Sequence, residues 1–100
     1  MTDEATRILC DYIRIDTTNP PGNEEAGAVV LREVLGREGI GSKLHDAGDG
    51  RVSISARIAG SGGEGLRPIC LLSHIDVVPV EREHWTRGPF GGELVDGTIW

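Results

Sequence analysis

The sequence predicts an α/β segment, and three observations carry that prediction. Apolar residues recur at spacings of three and four between Ala5 and Ile13, and again between Val30 and Leu35, which is the period of a helix buried along one face. Val52, Ile54, Ala56 and Ile58 alternate with Ser53, Ser55 and Arg57, the period of a strand with one buried face. Pro68, Ile69, Cys70, Leu71 and Leu72 form an uninterrupted apolar run, the pattern of a strand covered on both sides.

Each element has local reasons to start and stop where it does. The first helix is expected over about 3–15, with Thr2 or Asp3 capping its first turn and Ala5, Ile8, Leu9, Tyr12 and Ile13 as its apolar stripe. The following Asp16-Thr-Thr-Asn-Pro-Pro-Gly22 cannot continue a helix, because proline lacks the N–H and clashes with the preceding turn, so an ordered turn is expected there. Asn23 then stands as cap of a second helix. Glu24 and Glu25 complement the dipole in its first turn, Val30/Val34 and Leu31/Leu35 form its stripe, and the glycine-rich stretch 36–41 closes it. A brief strand over 43–46 is followed by the turn signal Asp49-Gly50 and the alternating strand at 52–58. The run Gly60-Ser-Gly-Gly-Glu-Gly65 reads as a flexible loop and not as a nucleotide fingerprint, since no helical pattern follows it. Near the end, Asp96-Gly97 after Glu93, Leu94 and Val95 is a two-residue hairpin signal, with only Thr98, Ile99 and Trp100 left for the returning strand.

Composition narrows the function classes. At 100 residues with 38% apolar and 26% charged side chains, the chain has the make-up of a globular domain of modest core. Its net charge of -6 and scattered basic residues give no electrostatic footprint for nucleic acid or an anionic membrane. No apolar run reaches the roughly 18–20 residues of a membrane span, and Thr2, Asp3 and Glu4 do not resemble a secretory leader, so a cytoplasmic location is expected. Cys10 and Cys70 lack a C-x-x-C spacing and read as small buried hydrophobes.

The chemistry gathers where the apolar run ends, at Ser73-His-Ile-Asp-Val-Val-Pro79. The carboxyl ends of strands in open α/β sheets are where ligands are bound. In extended backbone, residues two apart share a face, so Asp76 can reach the neighbourhood of the His74 imidazole. A carboxylate that accepts from one ring nitrogen fixes the tautomer and strengthens the other nitrogen as a metal ligand. A solvated polar pair at a strand end would carry the same two residues. His84 and His45 lie in polar surroundings and read as solvated. Asp16 and Glu24 read as turn and cap residues, and Trp85 and Phe90, on either side of Pro89, read as loop anchors in preference to pocket walls.

Leu71-Leu-Ser-His-Ile-Asp-Val-Val-Pro79, Glu83-His-Trp85, Gly88-Pro-Phe90 and Asp96-Gly-Thr-Ile-Trp100 together resemble the first metal segment of the dinuclear-zinc amidohydrolases and peptidases: aminoacylase, acetylornithine deacetylase, succinyl-diaminopimelate desuccinylase and the glutamate-releasing carboxypeptidases. Ile13-Arg-Ile-Asp-Thr-Thr-Asn-Pro-Pro-Gly-Asn-Glu24 is similar to the family's link between its first two helices. Ser73 departs from the glycine many members carry, and Gly88 from an acidic residue. The resemblance implies that residues 1–100 are the N-terminal part of a zinc-peptidase-like catalytic domain, a mixed sheet flanked by helices and cut short at Trp100. It assigns His74 as a zinc ligand and Asp76 as the catalytic-site carboxylate that orients the metal chemistry. It further implies two zinc ions in the full-length protein, with cobalt or manganese as substitutes, and hydrolysis of an amide or peptide bond in a small N-acyl amino acid or peptide. The remaining ligands, a glutamate base and a lid domain through which such proteins can form homodimers would lie beyond Trp100, leaving the 100-residue segment inactive alone. A catalytically dead member serving as a peptide-binding or regulatory module is the rival expectation.

Overall fold

The computed structural model of the chain describes residues 2–100. Helix α1 spans Glu4–Ile13 and helix α2 spans Glu24–Arg37. Strands β1 (Ser42–Asp46) and β2 (Val52–Ala56) pair antiparallel, with Leu44 opposite Ile54 and Asp46 opposite Val52. A single 3-10 turn occupies Arg82–His84, and strands β3 (Leu94–Val95) and β4 (Thr98–Ile99) form a second, separate antiparallel pair.

The local signals act as physical chemistry dictates. Asp3 caps α1 by accepting from the Thr6 N–H at 2.8 Å and from the Thr6 hydroxyl at 2.9 Å. Cys10, and not the neighbouring Leu9, is the buried residue of α1; Leu9 stays 47% exposed. At the end of α1, Arg14 donates to the carbonyls of Gly91 and Gly92, stapling the helix to the approach of the last hairpin. Asn23 stands at the N-cap of α2 but its side chain makes no capping bond; it donates to the Asp16 carbonyl at 3.2 Å and so closes the preceding turn. The backbone N–H of Glu25 is satisfied from outside the helix, by the Gly50 carbonyl at 3.1 Å. That bond ties the start of α2 to the β1–β2 turn, and α2 packs across both strands. In the last hairpin both Asp96 and Gly97 have positive φ, 49° and 79°, the geometry of a type I′ turn, and Glu93 and Trp100 exchange backbone hydrogen bonds at its open end.

Two expectations are corrected. In place of one mixed sheet, the described residues form two small antiparallel sheets, and the parallel pairing among them is an isolated bridge between Thr18 and Val77. The apolar run at 68–72 forms no strand and has no ladder partner, and Ile69, Leu71 and Leu72 are 88%, 92% and 94% exposed. Cys70 is exposed with it, whereas Cys10 is buried as expected. A strand needs neighbours to satisfy its N–H and C=O groups, and here a groove separates the run from β2. Among the described residues the buried apolar side chains are Cys10, Ala28 and Val52, and no large side chain is fully enclosed. The Cα radius of gyration is 16.2 Å, against about 13 Å for a compact domain of this length.

Candidate functional site: a turn clamped onto the His74 segment

The segment carrying His74 and Asp76 is held from two sides. Behind it, Gly27 of α2 leaves space for Ile75: a Cβ at that position would sit 2.9 Å from the Ile75 Cγ2 and 3.1 Å from the Tyr12 hydroxyl. Ile75 therefore seats where α1 and α2 meet. On either side of Ile75, His74 and Asp76 turn their side chains toward each other.

From the other side the turn after α1 is stitched to residues 75–77. The hydroxyl of Thr17, a buried side chain, donates to the Ile75 carbonyl at 2.9 Å. The Val77 N–H donates to the Thr17 carbonyl at 3.2 Å, and the Asn19 N–H donates to the Val77 carbonyl at 2.8 Å. Within the turn, Asp16 accepts from the N–H and hydroxyl of Thr18, which hold its carboxyl below the usual carboxylate range. The Asn19–Pro20 and Pro20–Pro21 bonds are both cis.

These contacts place a short series of polar groups in line. His74 Nδ1 lies 2.7 Å from the Asp76 carbonyl oxygen and 3.2 Å from Asp76 Oδ1. Both partners are acceptors toward an N–H, so the arrangement suits a proton on Nδ1 and a free lone pair on Nε2. The His74 side chain is 84% exposed, which leaves Nε2 accessible. On the far oxygen, the Asn19 amide donates to Asp76 Oδ2 at 3.0 Å, and an Arg51 terminal nitrogen lies 3.9 Å from the same atom. The Asn19 hydrogen bond is the main influence holding the Asp76 carboxyl below its usual range; His74 adds to it, and desolvation opposes it. Arg51 is fixed in turn by Glu24, whose Oε1 accepts from Arg51 Nε at 2.5 Å. The Glu24 side chain is only 8% exposed and its second oxygen, Oε2, is buried without a partner.

His74 and Asp76 are thus brought together as their spacing predicts, and Glu24 proves to be more than a cap: it is a buried carboxylate in an ion pair. Asn19 and Arg51 escaped the sequence reading. Asn19 lay within a turn that was legible, but its partner is 57 residues away. Arg51 carried no signal beyond its place after a turn. His84 and His45 lie away from this cluster, His84 against Glu81 at 2.7 Å and His45 against Ser55 at 2.7 Å. Trp85 is 45% exposed and does not anchor its loop; Phe90, half-buried with Arg82 over its ring at 5.9 Å, walls a separate cleft beside Asp16 and Pro20. Among the described residues no three His, Cys, Asp or Glu side chains gather to hold a metal ion, and no helix is long and apolar enough to cross a membrane.

In sequence the chain belongs to the family of the aminoacylases and succinyl-diaminopimelate desuccinylases. The chain is 37% identical over 95 residues to a succinyl-diaminopimelate desuccinylase of Cereibacter sphaeroides, covering 93% of this chain and 23% of that protein. It is 36% identical over 94 residues to aminoacylase-1 of Sus scrofa, again 93% of this chain and 23% of the relative, and 34% identical over 83 residues to aminoacylase-1 of Homo sapiens, 83% and 20%. Both names are those of hydrolases acting on amide bonds. The chain spans about a quarter or less of the length of these curated relatives. No protein-family model matches it.

Proposed function

We propose that these 100 residues are the opening segment of the catalytic domain of a zinc-dependent hydrolase that cleaves an amide or peptide bond in a small N-acyl amino acid or peptide. The observation that carries this reading is the His74 imidazole, engaged at Nδ1 by Asp76 and open at Nε2. That is the state in which an imidazole ligates zinc, because the carboxylate fixes the tautomer and raises the basicity of the free nitrogen.

The residues present fit one corner of such a site. His74 holds its Nε2 lone pair toward open space, and Asp76 accepts a hydrogen bond from the Nδ1–H and restrains the ring from turning. Zinc, when bound, would polarise the scissile carbonyl and activate water, as cobalt or manganese can in its place. About four ligands complete a zinc site, so the others, with the glutamate base and the lid or dimerisation domain, belong to the remainder of the protein. The names of the relatives support amide hydrolysis as the reaction class.

The test is the full-length protein carrying His74→Ala. Its zinc content should fall by about one equivalent per chain, and hydrolysis of N-acyl amino acids by at least about a hundredfold, on the scale expected when a group acting in the transition state is lost. Unchanged zinc content and unchanged turnover would remove His74 from the site.

A further inference from the structure

We infer that Glu24, Arg51 and Asn19 form a positioning relay that sets the Asp76 carboxylate, and through it the His74 ring, so that zinc affinity depends on residues that never touch the metal. The inference rests on His74 being a ligand, as proposed above, and adds to that reading a cause for its geometry.

The two oxygens of Asp76 are divided between two tasks. Oδ1 faces His74 Nδ1, while Oδ2 takes the Asn19 amide at 3.0 Å and faces Arg51 at 3.9 Å. With Oδ2 occupied, rotation of the carboxylate away from the ring breaks a hydrogen bond and draws a charge away from a guanidinium. The backbone of Asn19 is itself anchored to the same segment, its N–H donating to the Val77 carbonyl at 2.8 Å, so the amide approaches Asp76 from a held position.

Arg51 is equally fixed. Its Nε is committed to Glu24, a carboxylate buried at the first turn of α2, and this leaves the outer nitrogen aimed toward Asp76. Only a planar guanidinium offers two donors in a rigid fork, so lysine could serve Glu24 or Asp76 but not both with this geometry. Gly22 makes the placement sterically feasible: with φ of +89°, it would carry a Cβ 2.6 Å from Arg51 Cδ and 2.7 Å from Glu24 Oε2. The glycine of the turn therefore holds open the passage through which the arginine reaches the glutamate. Two stretches far apart in sequence, the turn at 16–23 running into the first turn of α2, and Arg51 just ahead of β2, converge on one carboxylate.

The test is zinc affinity of the full-length protein, measured by chelator competition on wild type, Arg51→Lys, Asn19→Ala, Asp76→Ala and the two double variants that combine Asp76→Ala with each of the others. Arg51→Lys and Asn19→Ala should each weaken zinc binding by about tenfold, the lower end of the effect of partners that orient a ligand. Neither should weaken it further once Asp76 is alanine, since the relay acts only through that carboxylate. Zinc binding unchanged by both substitutions, or weakened equally with and without Asp76, overturns the relay. Should Arg51→Lys not fold because Glu24 loses its partner, Asn19→Ala carries the same cycle with the ion pair intact. The two readings fail separately: loss of zinc in His74→Ala with full affinity in Arg51→Lys and Asn19→Ala sinks only the relay, whereas full zinc content in His74→Ala sinks the ligand assignment beneath it.

Discussion

At the scale of single residues, Gly27 shows two local preferences in conflict. Alanine would favour the helix by about 0.5–1 kcal/mol, because glycine loses more backbone freedom on folding. The added methyl would meet Ile75 at 2.9 Å and Tyr12 at 3.1 Å, and overpacking of that kind costs about 1–3 kcal/mol. Gly27→Ala should therefore lower thermal stability in spite of its better helix propensity, by about 1 kcal/mol; an increased melting temperature would show that Ile75 is not wedged against α2. The same residue explains what a sequence can and cannot disclose. His74 and Asp76 were legible because they lie two apart, close enough in sequence for their side chains to meet. Gly27, Asn19 and Arg51 matter through partners 48, 57 and 25 residues away along the chain respectively, and no local period encodes such meetings. Glu24 looked like a dipole-matching first-turn acid, which it is; its burial beside Arg51 is an additional property that only tertiary structure reveals.

At the scale of elements, boundaries with chemical punctuation were the ones read correctly. Asp3, the proline-rich turn and Asp96-Gly97 each act through atoms within a few residues. The Asp3 cap yields a pH prediction. Hydrogen bonds from the Thr6 N–H and hydroxyl lower its carboxyl below the ordinary value of 3.8. A carboxyl depressed in the folded state contributes stability that is present above its unfolded value and is lost as pH falls through the folded one. Protection of the Thr6 amide from hydrogen exchange should therefore fall as the pH drops below about 3.8. Asp3→Asn, which caps without titrating, should remove that acid dependence. If the dependence persists in Asp3→Asn, it arises elsewhere. The apolar run at 68–72 was the element misjudged, for a physical reason. A continuous apolar pattern states that a strand would be stable if covered, and cannot state whether the covering strands are at hand.

At the scale of the whole molecule, the chain is open. Its radius of gyration exceeds that of a closed domain of equal length, and its apolar run faces solvent. On the proposal that these residues open a longer catalytic domain, the rest of that domain supplies the cover, and Cys70 reports on it directly. In the isolated 100-residue chain a thiol reagent should modify exposed Cys70 well before buried Cys10. In the full-length protein both should be slow. Equal, rapid modification of Cys70 in the two forms would mean that the run at 68–72 remains uncovered. An unpaired apolar edge of this kind is also a template for association, so the isolated segment should aggregate, and replacing Leu72 by lysine should keep it in solution.

The clamp between the turn at 16–23 and residues 75–77 has a consequence in time. Asn19 and Asp76 are 57 residues apart, so during synthesis the first is made long before the second exists. At about 5–20 residues per second the turn waits roughly 3–11 s for its partner. Over that interval the bonds open to it are those it makes to itself, from Thr18 and Asn23 to Asp16 and from Gly22 to Thr18. The clamp is therefore completed last, by residues 75–77, and the order of synthesis leaves the turn to wait on the segment that finishes the site.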